Sequence, residues 1–332
     1  MTEFKVFRVY QEDGKIQGKL ERSKLDDLSP GEVVIKVAYS SVNYKDALAA
    51  TGAGKILRRF PLIAGIDAAG YVVSSDSDDI KEGDAVLVTG YDFGTNHDGG
   101  YAEYARVPAD WVIPLPEGMS PQQAMSIGTA GFTVALCVQR LEENLQKPEH
   151  GPFVITGASG GVGNYAIDIL SGLGYEVVAV TGKDSEKDKL LALGASEVIN
   201  RNEIDLTGPA LEKAQWGGAI DNVGGDILAW LIRSTKPWGN IASVGMAGGT
   251  HLNTTVMPFI LRGVSLLGIT SSGCPTELRH KLWNRLATDL APRHLDKIVT
   301  RVAGLDDLPE IFGTLLAGTS TGRTVIKVSE QE

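Results

Sequence analysis

The sequence predicts an α/β protein in which a doubly wound parallel sheet is inserted into a β-rich domain. Three observations predict it. Residues 153–164, FVITGASGGVGN, form an apolar β-like run, then a cluster of glycines, then the start of an apolar-faced helix with Ala166, Ile167, Ile169, Leu170 and Leu173 on its buried side. Beyond Gly151 strand and helix patterns alternate with short turns, the sign of a parallel sheet with crossover helices. Before about residue 122 the chain is instead a series of short strands punctuated by Gly and Pro.

In chain order, residues 4–10 read as a strand, and 31–38 (GEVVIKVA) as a clearer one, with Val33, Ile35 and Val37 alternating against Val34 and Lys36. Residues 40–50 suit a turn entering a short helix, and 52–61 (GAGKILRRFP) form a basic loop. Strands are expected at 71–73, 85–89 and 101–107. Residues 124–138 are apolar and helix-like despite their glycines. Strands follow at 153–156, 176–180, 197–199, 219–222, 240–244 and 265–268, with a helix at 185–193 between the second and third. Helices are expected at 277–290 and 305–316 and a last strand at 323–328, which needs partners and so rejoins the first domain. The expected domains are 1–124, 125–268 and the return segment 269–332.

Composition narrows the function. The 332 residues are 43% hydrophobic and 22% charged, ordinary for a globular protein of about two domains. A formal charge of −10 disfavours nucleic acid as the main partner, because phosphate backbones demand basic surface. The amino terminus, MTEFKVFRVY, is too charged for a secretory signal, and no apolar run reaches the length of a membrane span. Two cysteines, Cys137 and Cys274, cannot build a disulfide framework, so a reducing cytoplasm is the expected setting.

A strand, a glycine turn and a helix start make an anion site: backbone without side chains approaches a pyrophosphate, which meets the free N–H groups of the helix. The run 158–163 reads ASGGVG, with Ala158 where a fingerprint would begin with Gly. Ser159, Gly160, Gly161 and Val162 are therefore candidates for dinucleotide binding. A site selective for NAD places Asp or Glu about 20 residues further on. Here the second strand ends in Thr181, Gly182 and Lys183, a hydroxyl and a cation that suit a 2′-phosphate, and Arg201 stands ready to close the same pocket. NADPH is the expected coenzyme, although Asp184 lies beside Lys183. The segments 221–225, 244–247 and 267–271 each follow an expected strand, where ligands of open parallel sheets lie.

Along nearly its whole length the chain resembles a medium-chain dehydrogenase/reductase, within it the zinc-free quinone oxidoreductase group, and within that the acrylyl-CoA reductase (YhdH/YhfP-like) subgroup. The residues that carry the resemblance are SSVNYKDALA at 40–49, RRFPLIAGIDAAG at 58–70, GTAGFTVALCV at 128–138, TGASGGVG at 156–163, LGA at 193–195 and TTVMPFILRGVSLLGI at 254–269. The resemblance implies a Rossmann domain inserted into a GroES-like catalytic domain, and a homodimer. It implies a phosphate contact at Arg201, backbone contacts to the carboxamide near Ala247 and Ile269, with Ser271 in the same loop, and Leu261 and Thr321 near the coenzyme. Where zinc-dependent members carry catalytic ligands this chain reads Asn43-Tyr44-Lys45-Asp46 and Gly65-Ile66-Asp67, without Cys or His. Its five histidines, 97, 150, 251, 280 and 294, show no metal spacing, so no metal is expected.

Such a site must stabilise negative charge by hydrogen bonds. The reaction implied is hydride transfer from NADPH to the β-carbon of an activated alkene, with protonation at the α-carbon. Tyr44 is the candidate donor near coenzyme and substrate, or else a tyrosine packing between domains. Asp67 is a candidate proton donor, or else a structural cap. Lys55, Arg58 and Arg59 are candidates for the phosphates of a CoA thioester. Acrylyl-CoA or a related short enoyl substrate is expected first, a quinone second. A non-catalytic NADPH-binding redox sensor is the reading from another class.

Overall fold

A computed structural model describes residues 3–329 of the chain, which divide into two compact units. Of the described residues, the first unit holds 3–129, 272–287 and 299–329, and the second 130–271 and 288–298. The first division falls inside one helix, α2 (Pro121–Glu143), whose regular geometry is broken at Gly128 with φ 50° and ψ −159°. The boundary expected at 124/125 also lies inside α2. By length and composition α2 passes as a membrane span, but 89% of its apolar window is buried within the protein, as suits a core helix.

In the first unit the alternating strand expected at 31–38 runs Val33–Ser41 and lies centrally in a seven-stranded sheet. It pairs antiparallel with Asp67–Ser75, with Tyr104–Val107 and with the final strand Arg323–Lys327. The expected return of the tail is thus observed, and Val299–Ala303 pairs in parallel beyond it. Val33, Ile35, Val37, Val72, Val86, Val88 and Val107 fill one core cluster of this sheet. A smaller sheet contains a strand absent from the sequence expectations, Lys15–Ser23, which forms a hairpin with Phe4–Glu12. The signal was present: Asp13 and Gly14 form the two-residue turn with φ of 51° and 76°, the geometry that Asp-Gly favours. The helix α1 (Tyr44–Thr51) lays Ala47 and Ala50 against Leu308, Ile311 and Phe312.

The second unit is a six-stranded parallel sheet. Its order in space is Ala195–Asn200, Val177–Thr181, Phe153–Thr156, Trp216–Asp221, Thr235–Ser243 and Ser265–Gly268. Numbered along the unit this is 3-2-1-4-5-6, the doubly wound order expected for dinucleotide binding. The crossovers include α3 (Gly161–Gly172), α4 (Lys187–Ala192), α5 (Gly225–Ser234) and α6 (Met257–Arg262). Residues 288–298, expected to belong with the returning tail, pack in this unit for an electrostatic reason. The buried Asp168 carboxylate of α3 accepts the Arg293 N–H at 2.7 Å and His294 Nδ1 at 2.8 Å, while the Arg293 guanidinium donates to the Asp168 carbonyl and to Ser171.

Close approach of α3 to its strand depends on Gly163. A Cβ there would lie 2.5 Å from the Gly157 carbonyl oxygen and 2.6 Å from Ala158 Cα, both fixed backbone. At Gly160 the nearest atom to such a Cβ is 3.4 Å away and the backbone is extended. Gly163→Ala is therefore expected to lower stability by about 1–3 kcal/mol, the usual cost of overpacking, while Gly160→Ala changes it by less than about 0.5 kcal/mol. Urea unfolding of the two variants measures this; equal midpoints would contradict it.

Candidate active site

The polar residues of the first unit gather at the amino end of α1. Asn43 is the N-cap, with extended φ and ψ of −119° and 157°, and Asp46 completes a capping box by accepting the Asn43 N–H at 2.8 Å. Asp46 also accepts the Ile66 N–H at 3.1 Å, which ties α1 to the turn before strand Asp67–Ser75. Tyr44, the first residue of the helix, is 48% exposed.

Asp67 is fully buried, and donors surround its carboxylate. Thr129 Oγ1 donates to Oδ1 at 2.5 Å; Ser41 Oγ at 2.5 Å, Asn43 Nδ2 at 2.8 Å and the Thr129 N–H at 3.0 Å donate to Oδ2. The Arg323 guanidinium lies 3.8 Å away and is itself buried. Of the two readings of Asp67, proton donor or structural cap, these contacts fit the second: its carboxylate anchors the segments around it. Burial first, then the charge of Asp67, push Asp46 up to about 7, against the pull of the N–H donors from Asn43 and Ile66.

In the second unit the glycine turn has the form an anion site requires. Gly157 has φ 59°, the Asn164 side chain donates to the Ala158 carbonyl at 2.8 Å, and Gly160 caps α3, where a Cβ would meet nothing nearer than the Gly157 carbonyl oxygen at 3.4 Å. Gly161 and Val162 open the helix, so their N–H groups are among those left without intrahelical acceptors. At the end of the next strand the Thr181 hydroxyl donates to Ser159 Oγ at 3.2 Å and accepts the Lys183 N–H at 3.2 Å. Arg201 lies over Gly182, where a Cβ would come within 2.6 Å of its Nε. Desolvation chiefly, and Arg201 besides, lower the pKa of Lys183, while Glu186 opposes them. Two cations brought together beside a glycine suit a bound dianion, so this part of the structure fits a 2′-phosphate.

The loop after Trp216–Asp221 is organised by Asp221, a buried residue for which the sequence indicated only a place in a ligand-facing segment. Its carboxylate accepts from the Thr156 hydroxyl at 2.6 Å, the Gly224 N–H at 2.8 Å and the Val223 N–H at 3.2 Å. The Gly248 N–H donates to the Val223 carbonyl at 2.8 Å, which draws the turn containing Ala247 to the same sheet end. The Ile269 N–H donates to the Ser243 carbonyl at 3.0 Å, so the segment holding Ile269 and Ser271 also starts from the carboxyl ends of the strands.

Leu261 is 64% exposed in the last turn of α6, beside Arg262, whose guanidinium donates to the carbonyls of Arg233 and Thr235. The Thr321 carbonyl accepts from Thr300 at 2.9 Å within the first unit.

The basic loop of the first unit is largely committed to its own neighbours. Arg58 Nη1 lies 3.2 Å from Asp92, and Arg59 donates to the Asn96 carbonyl at 2.8 Å and stands 3.5 Å from Asp98. Lys55 is exposed. Among the described residues no three His, Cys, Asp or Glu side chains group so as to hold a metal ion. Cys137 and Cys274 are free and buried, and burial raises both thiols, so neither is a ready nucleophile.

Comparison with known proteins agrees with this geometry. Residues 29–117 match the alcohol dehydrogenase GroES-like domain and residues 161–288 the zinc-binding dehydrogenase domain. The chain belongs to the medium-chain dehydrogenase/reductase family, in its zinc-free quinone oxidoreductase group. It is 49% identical over 304 residues to YhfP of Bacillus subtilis, named as a quinone oxidoreductase, covering 91% of this chain and 92% of that one. It is 46% identical over 320 residues to the acrylyl-CoA reductase AcuI of Ruegeria pomeroyi, covering 96% and 97%. The structure of the YhdH oxidoreductase of Salmonella enterica in complex with NADP superposes with a TM-score of 0.95 at 44% identity, over 98% of this chain and all of that one.

Asp46 makes the stability of the fold depend on pH. Its pKa is raised above the unfolded value of 3.8, so the folded state holds the proton more tightly, and stability falls as pH rises from about 4 to about 7. Asp46→Asn removes that dependence. Relative to the parent protein, the variant should gain about 3 kcal/mol between pH 4.5 and pH 8, at about 1.4 kcal/mol for each tenfold difference in proton affinity. Urea unfolding across this range measures the difference; a difference independent of pH would contradict the assignment.

Proposed function

We propose that this chain catalyses the NADPH-dependent reduction of an activated carbon–carbon double bond, with acrylyl-CoA or a related short enoyl thioester as substrate. The observation that carries the reading is the pair of cations, Lys183 and Arg201, beside Gly182 at the end of the strand that follows the glycine turn. The likeness to AcuI supports the substrate class. NADPH, when bound, supplies the hydride. Lys183 and Arg201 hold its 2′-phosphate, Thr181 and Ser159 line the ribose side, and the N–H groups of Gly161 and Val162 face the pyrophosphate. The segments around Ala247, Ile269 and Ser271 receive the nicotinamide half, with Thr321 assigned near the coenzyme on the resemblance alone.

NADPH would supply hydride to the β-carbon, and the negative charge that develops on the thioester oxygen would need a hydrogen-bond donor. Tyr44 donates a hydrogen bond to that oxygen, and solvent returns a proton to the α-carbon. Of the basic loop, Lys55 is assigned to the CoA phosphates, because Arg58 and Arg59 already face Asp92 and Asp98. Quinone reduction with the same coenzyme is the second reading, favoured by the likeness to YhfP.

The assembly we assign is a cytoplasmic homodimer. Val256, Met257, Ile260 and Leu261 of the α6 region are exposed, as is Trp238, and the strand Ser265–Gly268 is a sheet edge. An exposed apolar face beside an open strand edge suits a second copy related by a twofold axis. Ile260→Glu should then convert a dimer of about twice the chain mass into a monomer by light scattering; a monomeric parent protein would refute the assignment.

Coenzyme choice is tested by Lys183→Ala combined with Arg201→Ala. Two charge-assisted contacts to phosphate are lost, so KM for NADPH should rise by about 100-fold or more, at about 1.5–3 kcal/mol for each contact, while KM for NADH stays within twofold. Equal effects on the two coenzymes would defeat it. Turnover of benzoquinone but not of acrylyl-CoA would decide for the second reading.

A further inference from the structure

The polar atoms around the start of α1 converge on one buried guanidinium. Arg323 opens the last strand, and pairing of that strand with Val33–Ser41 brings its side chain beneath the α1 N-cap. Nη1 donates to the Val42 carbonyl at 2.8 Å and to Asn43 Oδ1 at 2.9 Å; Nη2 donates to Ser41 Oγ at 2.8 Å; Nε donates to the Ser126 carbonyl at 3.4 Å. The Asn43 carboxamide is thereby fixed in direction, its oxygen on Arg323 and its nitrogen on Asp67 and Asp46. Ser41 relays in the same sense, accepting from Arg323 and donating to Asp67. The break in α2 makes room for the head: a Cβ on Gly128 would collide with Nη2.

A lysine would balance the charge of Asp67 as well, but as a single point. The planar fork serves four acceptors in four directions, two of which belong to Val42 and Asn43 just before Tyr44. The arrangement specifies direction, and its output is the entry angle of the helix that carries Tyr44.

We propose that Arg323 is a positioning residue: acting through Ser41 and Asn43, it fixes the start of α1 and so aims the Tyr44 hydroxyl at the substrate. This rests on the assignment of Tyr44 as the hydrogen-bond donor above. Asp67 is its counter-charge, and Gly128 is the clearance it needs.

The experiment compares Tyr44→Phe, Arg323→Lys, Asn43→Ala and the double variant Tyr44→Phe with Arg323→Lys. For each, kcat and KM are measured with NADPH and acrylyl-CoA, and thermal unfolding by circular dichroism. Tyr44→Phe should lower kcat by about 100-fold, as loss of one donor to a developing oxyanion does. Arg323→Lys and Asn43→Ala should each lower kcat by about 10- to 100-fold through misplacement, with KM for NADPH within twofold, and the double variant should be no slower than Tyr44→Phe alone. If Arg323→Lys does not fold, Asn43→Ala cuts the same link at a partly exposed residue and decides. A kcat within twofold of the parent in the folded single variants, or losses that multiply in the double variant, overturns the positioning role while leaving Tyr44 in place. An unaltered kcat in Tyr44→Phe removes the assignment of Tyr44, and the positioning role with it.

Discussion

A charge buried away from water must be answered by protein, and in the first unit that constraint falls on Asp67. Its carboxylate takes hydrogen bonds from Ser41, Asn43 and Thr129 and faces the buried Arg323. These partners come from three stretches far apart in the chain: the end of the central strand running into the cap of α1, the break in α2 and the last strand. Removing one partner of such a buried pair leaves the other uncompensated, at a cost of about 3–5 kcal/mol. Order at the start of α1 therefore follows from charge balance between a buried carboxylate and a buried guanidinium.

The second unit solves a different problem. A phosphate must be approached by backbone, so side chains are removed where the strand turns into α3, and close packing at Gly163 is retained. Positive charge is then gathered at Lys183 and Arg201, which follow two strands that lie side by side in the sheet. Asp221 does for the neighbouring loop what Asp67 does in the first unit, collecting a hydroxyl and two backbone N–H groups about a buried carboxylate. In both units a buried acid organises the backbone beside the candidate site residues.

The architecture was largely legible in the sequence, because strand alternation and the glycine turn are local signals. All six strands of the parallel sheet were expected, although Thr235–Ser243 begins well before the expected residue 240, and so was the return of the last strand. The hairpin strand Lys15–Ser23 was missed although Asp13-Gly14 announced it, since its polar sequence lacks an apolar alternation. That Asp67 and Arg323 face each other was not legible, because nothing local brings together two residues so far apart in the chain. The capping box at Asn43 and Asp46 was readable, but its link to the last strand was not.

Hydride delivery from a reduced nicotinamide coenzyme to the β-carbon of an enoyl thioester is tested most directly with NADPH deuterated at C4, by tracing the label into the product of acrylyl-CoA by NMR and mass spectrometry. Propionyl-CoA with one deuteron at the β-carbon and a solvent-derived proton at the α-carbon is the predicted result. Label at the α-carbon, or coenzyme oxidation without propionyl-CoA, would contradict it.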